Sequence, residues 1–221
     1  IDGGATGSLP AGVLSCRSDQ ERDIVAGAPR PLSRDLDWLP FPDFSGLPLD
    51  EYRDRGRLPI FSSRGCVNRC VFCIERMIWE RYRFRGAAHI VGEIDNDVVR
   101  WGADKLEFND SLFNGNIRNL EETCNRMASA GLAPKWGGEG IIRKEITPAL
   151  LAKLKKAGCG YITYGLESAS QRVLDLMRKG TDISIAARVV HDTHEAGISQ
   201  KINIMVGFPG ETEDDFQKTL D

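Results

Sequence analysis

The sequence predicts an α/β protein built on a parallel sheet, and three observations carry that prediction. From Leu58 onward, short apolar strands alternate with helical patterns. Glycines placed to close helices recur at Gly102, Gly131, Gly158 and Gly197, at the spacing of successive strand–helix units. Several strands are nearly all apolar, as expected when helices cover one face and a filled interior the other. Such alternation implies right-handed crossovers. A (β/α) barrel and an open doubly wound sheet both satisfy it, and in either the site lies at the C-terminal strand ends.

The elements follow in order. Residues 1 to about 57 are rich in Pro, Gly, Asp and Arg and show no sustained period. Within them, "DLDWLPFPDFSGLPLDEY" alternates prolines with Trp38, Leu39, Phe41, Phe44 and Leu47. Each proline pushes its predecessor toward extended backbone, so an extended arm laid across a neighbouring surface is expected. Disordered tails seldom carry so many large apolar groups. Residues 1–57 are read as a connector and 58–221 as the core domain. "LPIFSS" is a short strand, followed by a cysteine-rich loop and helical material ending at Gly102. "KLEFND" is the second strand, with a helix from about Asn116 to Gly131. "PKWGGEGII" contains the third, and the next helix opens with Thr147 as N-cap and Pro148 at its first position. "GYITYGLES" is the fourth strand; Ser168 and Gln171 are spaced as a capping box for a helix closing near Gly180. "ISIAARVVHDTHEAG" is a further helix, "KINIMVGF" the fifth strand, and Thr212 with Asp215 caps the last helix.

The 221 residues suffice for one large domain plus an attached segment, and the net charge of -3 gives no global pull toward nucleic acid or membrane. No apolar run approaches the length of a membrane span, and the N-terminus lacks the charged and apolar regions of a signal peptide. The chain starts without Met and stops within a helical pattern, "DDFQKTLD", which reads as a segment of a longer protein. Six cysteines without a secretion signal argue for a reducing cytoplasm, where clustered cysteines more often bind metal than pair. Cys16, Cys124 and Cys159 are isolated, and the last two read as small buried hydrophobes.

Cys66, Cys70 and Cys73 are four and then three apart in "GCVNRCVFC". A disulfide would leave one thiol over. A structural zinc site usually needs a fourth Cys or His close by, whereas His89, His191 and His194 lie far off in helical patterns. Three thiolates in one short loop suit an iron–sulfur cubane held at three corners with one iron open. Core packing on a shared helix face is the third reading, although Gly65, Asn68 and the flanking arginines make a poor buried stripe. Spacing ranks the cluster first and leaves zinc and packing standing.

With Phe72 just before the third cysteine, this motif resembles the signature of radical S-adenosylmethionine (radical SAM) enzymes. The resemblance runs through "YRFRG", "LEFNDSLF", "GEGIIRKEITPALLAKLKKAGC", "YGLESASQRVLDLMRKGT" and "VGFPGETEDDF". These look like strand-end motifs of the subgroup that carries an upstream cobalamin-binding domain, and "DLDWLPFPDF" resembles the connector from that domain. The resemblance implies a partial (β/α)6 TIM-like barrel, of which about five strands are present. It implies a [4Fe–4S] cluster on Cys66, Cys70 and Cys73 and S-adenosylmethionine as cosubstrate. It further implies cobalamin through an upstream domain, an electron donor such as a flavodoxin or ferredoxin, and a substrate that the sequence does not name. Methylation, cyclisation or rearrangement would all fit. A cobalamin-independent methylthiotransferase is the alternative enzyme, and a non-catalytic metal-binding module the alternative of another class.

By the same resemblance, Phe72, Asn109, Asp110, Arg143, Glu167, Gly207 and Gly210 are the candidate cofactor-binding residues. Asn109 and Asp110 would face the methionine amino group, although Asn-Asp-Ser also suits a turn and N-cap. Arg143 would pair with the carboxylate, Glu167 with ribose hydroxyls or the amino group, and Gly207 and Gly210 would let backbone approach the adenine. Glu139 and Glu211 are not assigned. Arg76, Arg81, Arg83 and Arg85, interleaved with aromatics, read as a shell around the loop rather than an RNA-binding patch. "DTHEAG" fits the D-x-H-x-x-G pattern of cobalt-ligating histidines, but it ends an amphipathic helix, so His194 is not expected to bind cobalt.

Overall fold

The computed structural model describes residues 11–16, 24–28, 30–49, 51 and 57–221. It divides into two compact units, Ile1–Arg34 and Asp35–Asp221. In the first, β1 (Leu14–Cys16) and β2 (Ile24–Ala26) form an antiparallel pair, strands that the aperiodic composition did not announce. The remainder of the 1–57 connector reading falls partly on residues outside those described.

The second unit begins with a stretch that turns at Leu36–Leu39 and again at Phe44–Leu47, where the sequence predicts an extended arm. Leu36 and Phe44 are buried, Phe41 stacks 4.9 Å from His89, and Phe44 meets the edge of Trp101 at 5.8 Å. Asp37 accepts a hydrogen bond from the Gly86 N–H at 2.8 Å. The proline-spaced aromatics thus lie against a helix, while Trp38 and Leu47 stay exposed.

The sheet consists of β3 (Leu58–Ile60), β6 (Lys105–Phe108), β7 (Lys135–Gly140), β8 (Cys159–Glu167) and β9 (Ser199–Ile204), parallel throughout and adjacent in that order. Spatial order equals chain order. A doubly wound sheet reverses at a switch point, whereas a barrel wall does not, so the topology is that of a partial barrel. A two-residue antiparallel pair, β4 (Ser63–Arg64) with β5 (Arg83–Phe84), closes the base of the cysteine loop, and the short helix α1 (Glu75–Ile78) lies inside that loop.

Helices α2 (Ala87–Trp101), α3 (Ile117–Ser129), α4 (Pro148–Lys156) and α6 (Ile183–Glu195) cover one face. Their Ile90, Ile94, Met127, Leu151 and Val189 pack with Leu106, Phe108, Trp136, Ile162 and Tyr164 from the strands. Because side chains alternate along a strand, the opposite, concave face takes Glu107, Glu139, Tyr161, Thr163 and Lys201. Cys124 and Cys159 are buried free thiols within the helix-covered core.

Local chemistry sets the boundaries. Gly102, Gly131, Gly158 and Gly197 all have left-handed φ, from 64° to 99°, conformations that cost other residues a clash at Cβ. Thr147 and Thr212 cap α4 and α7 (Glu213–Leu220), the latter in a capping box with Asp215. The Ser168 capping box does not form. Strand β8 runs on to Glu167, and α5 (Gln171–Leu176) starts after Ser170, whose N–H donates to Ser168 Oγ at 3.1 Å. Nor does α5 reach Gly180; it ends at Leu176. Among the described residues no helix is long and apolar enough to cross a membrane.

Candidate active site at the strand ends

The cysteine loop follows β3, and two far-off contacts fasten it. The Val71 N–H donates to Met177 O at 3.0 Å, and the Asn68 amide donates to Lys179 O at 2.9 Å. Gly65 turns the chain into the loop at φ 82°, and a Cβ there would sit 2.9 Å from Arg81 O. The turn into the motif therefore needs glycine.

Cys66, Cys70 and Cys73 are free thiols, Cys70 buried and the other two half-buried. The Asn68 N–H points at Cys66 Sγ, 3.3 Å away. Burial pushes the Cys66 and Cys70 thiols above the usual range; the neighbouring cysteines add to this, and the Lys179 ammonium opposes it. Among the described residues, no three His, Cys, Asp or Glu side chains converge as ligands of a single ion. A donor set of three separated thiols beside one cation fits a cluster bridged by several irons better than a closed zinc cage.

Lys179 links the loop to the end of β8. Its Nζ donates to Glu167 Oε1 at 3.0 Å, with side-chain exposures of only 8% and 14%, and it stands 5.9 Å from the centre of the Phe72 ring. Glu167 adopts a left-handed φ of 74° where the β8–β9 register shifts. This is an unfavourable conformation for a residue with a Cβ, kept where the surroundings hold it. Gly165 makes room for the pair: a Cβ there would lie 2.7 Å from Glu167 Oε1 and 2.9 Å from Lys179 Nζ.

The other predicted residues fall as follows. Phe72, partly exposed, meets Phe208 edge-on at 6.5 Å, which joins the cysteine loop to the "GFPGE" turn. Gly207 and Gly210 both have left-handed φ in that turn, at 78° and 91°. The Gly207 N–H donates to Glu211 Oε2 at 2.7 Å, so the unassigned Glu211 staples the turn. Arg143 Nη1 donates to the carbonyls of Asn114 and Gly115, and Nε to Glu145. It lines a cavity of about 290 Å3 together with Val67, Asn68, Ile141 and Gly180, and its two Nη2 donors meet no acceptor among the described residues.

Asn109 is exposed at the tip of β6, but Asp110 is not available to a cofactor. It is buried, and its carboxylate accepts from the N–H and hydroxyl of both Ser62 and Ser63. Asp110 therefore ties the end of β6 to the entry of the cysteine loop. It does not cap the next helix either, since Asn116 does. Sequence reasoning missed Lys179, which sits in "MRKGT" with nothing local to mark it. The arginine cluster is not an open basic patch: Arg83 and Arg85 are buried, and Arg85 pairs with Glu93. His194 is exposed near the end of α6.

Comparison with known proteins agrees with this geometry. The chain is 26% identical over 224 residues to an uncharacterized methyltransferase of Pyrococcus horikoshii, covering all of this chain and 48% of that protein. A tRNA-2-methylthio-N(6)-dimethylallyladenosine synthase of Moorella thermoacetica is 31% identical over 170 residues, covering 71% of this chain and 37% of the synthase. The chain thus spans about half or less of these relatives. The cobalamin-dependent S-adenosylmethionine radical enzyme OxsB, solved with aqua-cobalamin, superposes with a TM-score of 0.79 over 96% of this chain and 32% of OxsB, at 17% identity. The sequence pattern of the radical SAM superfamily matches residues 60–221, and the chain belongs to that superfamily.

Proposed function

We propose that this chain is the catalytic core of a cobalamin-associated radical SAM enzyme that methylates its substrate. The observation that carries the radical chemistry is the loop itself: three free thiols closed by a strand pair, at the mouth of a partial barrel, beside a buried lysine. Cys66, Cys70 and Cys73 would hold three irons of a [4Fe–4S] cluster, leaving the fourth for the amino and carboxylate groups of S-adenosylmethionine. A bound cluster would supply the single electron that reductive cleavage of the S-adenosylmethionine sulfonium requires.

The protein's part is to bind, orient and shield. The Asn68 N–H and the Lys179 ammonium offset thiolate charge. Asn109 and Glu167 offer oxygens to the amino group and ribose hydroxyls, and Arg143 offers its free Nη2 donors to the carboxylate. Gly207 and Gly210 keep the turn open to adenine. The cobalamin association and methyl transfer are supported by the archaeal methyltransferase and by the OxsB fold. The Moorella synthase supports the second reading, a methylthiotransferase; binding of cobalamin by the intact protein would decide against it.

Anaerobic purification followed by iron and sulfide analysis is the first test, and a colourless zinc protein would end the proposal. Changing any one of Cys66, Cys70 and Cys73 to Ala is expected to abolish 5′-deoxyadenosine formation with dithionite. Retained activity in any of the three would contradict the ligand assignment.

A further inference from the structure

Gly207 and Gly210, the glycines proposed to receive adenine, lie in the "GFPGE" turn, and one cosubstrate can reach both this turn and the cysteine loop only if their separation is fixed. Phe72 against Phe208 is a single edge contact between them. A firmer connection runs through α5 and the turn that leaves it.

At one end of this connection, Arg172 on α5 donates from Nη2 to Gly210 O at 2.6 Å. The same guanidinium donates from Nε to Asp215 Oδ2 at 3.1 Å, and Nη2 reaches that oxygen too. Asp215 is only 3% exposed. It also accepts from the Ser170 hydroxyl at 2.6 Å, the Thr212 hydroxyl at 2.7 Å and the Thr212 N–H at 3.1 Å. A planar fork anchored on so fixed a carboxylate aims its remaining donor in one direction. Leu176 adds an apolar contact, 3.3 Å from where a Cβ on Gly210 would stand.

At the other end, Met177 O and Lys179 O hold the Val71 N–H and the Asn68 amide of the cysteine loop. Between the two ends Val173, Leu174 and Met177 are fully buried, so the segment has no room to slide. Its exit turn contains Arg178 with a left-handed φ of 52°. Arg178 and Glu167 are the two non-glycine residues with positive φ among those described. Backbone of this kind persists where its surroundings hold it, and it gathers at functional sites.

Resting on the radical SAM reading, we propose that Arg172 is a positioning residue for S-adenosylmethionine: it fixes the nucleoside turn to α5, and α5 sets the turn's distance from the cysteine loop. Arg172 acts through Gly210 and touches no reacting atom. A turn already held in its bound geometry loses less freedom when the cosubstrate arrives. Adenine is separated from the sulfonium by the ribose, so a loosened turn weakens the ground state and the transition state alike. Such a loss raises KM and leaves kcat in place.

The test uses the intact protein with its cluster reconstituted and S-adenosylmethionine as the probe. Calorimetric titration of the oxidised protein gives affinity, and 5′-deoxyadenosine formation with dithionite gives KM and kcat. Arg172→Gln is expected to bind about tenfold more weakly. Its KM should rise to match, with kcat within about twofold of wild type and iron content unchanged. Arg172→Lys keeps the charge pair but not the fork. It should bind about threefold more weakly, and it serves the same comparison if the glutamine variant unfolds. Ser170→Ala is the structural control, because it removes another donor to Asp215 while leaving Arg172 on Gly210. It should lower Tm without weakening binding. Wild-type affinity in the Arg172 variants, an equal loss of affinity in Ser170→Ala, or a fall in kcat with KM unchanged would each overturn the inference. A wild type that forms no 5′-deoxyadenosine would instead overturn the radical reading itself, so the two failures are distinguishable.

Discussion

Replacing Lys179 by Met removes a cation held between the cysteine loop and the end of β8. Its Nζ lies 3.0 Å from Glu167 Oε1, and at an effective dielectric near 20 that attraction is about 5 kcal/mol. Desolvation of both ions offsets much of it, so the pair as a whole adds little net stability. The single substitution is another matter, because it leaves Glu167 charged, 14% exposed and unpartnered. Such stranding costs about 3–5 kcal/mol, and at about 2–4 °C per kcal/mol for a domain of this size it lowers Tm by about 6–20 °C. The double change Lys179→Met with Glu167→Met removes both charges and should cost less than the single one. Thermal unfolding followed by circular dichroism gives the stabilities, and iron analysis after anaerobic reconstitution gives cluster loading, which should fall in Lys179→Met as thiolate charge goes uncompensated. A single variant melting within about 2 °C of wild type, or a double variant less stable than the single, would refute the reasoning.

Two further perturbations follow from the packing. Asp97 is fully buried on α2, and desolvation, reinforced by Glu93 and opposed by Arg85, pushes its carboxyl up to about 7. With a folded value above the unfolded one, the contribution is fully present below pH 4, roughly the unfolded value, and is lost as pH rises through 7. Asp97→Asn should therefore stabilise by on the order of 2–4 kcal/mol at pH 8 and add little at pH 4; urea titrations at the two pH values measure it, and a gain independent of pH would contradict the sign. Gly137 faces the Tyr161 ring so closely that a Cβ would overlap it. Gly137→Ala should cost about 1–3 kcal/mol by overpacking and almost nothing in a Tyr161→Ala background, whereas equal losses in both backgrounds would rule the contact out as the cause.

What the sequence disclosed divides along a physical line. Helix ends were legible because capping chemistry is complete within four residues: Gly102, Gly131, Thr147 and Thr212 fall where local donors and φ require. The Ser168 cap had the right spacing and still failed, because the register shift in β8 carries the strand past it. The choice between barrel and doubly wound sheet needed the strand order, which local periodicity does not contain. Within the site, the thiols and the turn glycines were legible from spacing. Asp110 was not, because the two serines that occupy it lie 47 and 48 positions earlier. Lys179 was hidden because its partners come from the end of β8 and from the cysteine loop, not from its own turn.

The fastening of the cysteine loop has a consequence for how the protein is made. Asn68 and its partner Lys179 are separated by 111 positions. At a synthesis rate of about 5–20 residues per second, Cys66, Cys70 and Cys73 leave the ribosome some 5–20 s before the segment that holds their loop in place. For that interval the thiols belong to an unclamped stretch of nascent chain, open to oxidation and to scavenging of stray metal. Delivery of iron and sulfide is thereby ordered in time: it belongs after the lysine segment has docked, as a late step of maturation. A cell short of oxygen gives the waiting cysteines the safest passage.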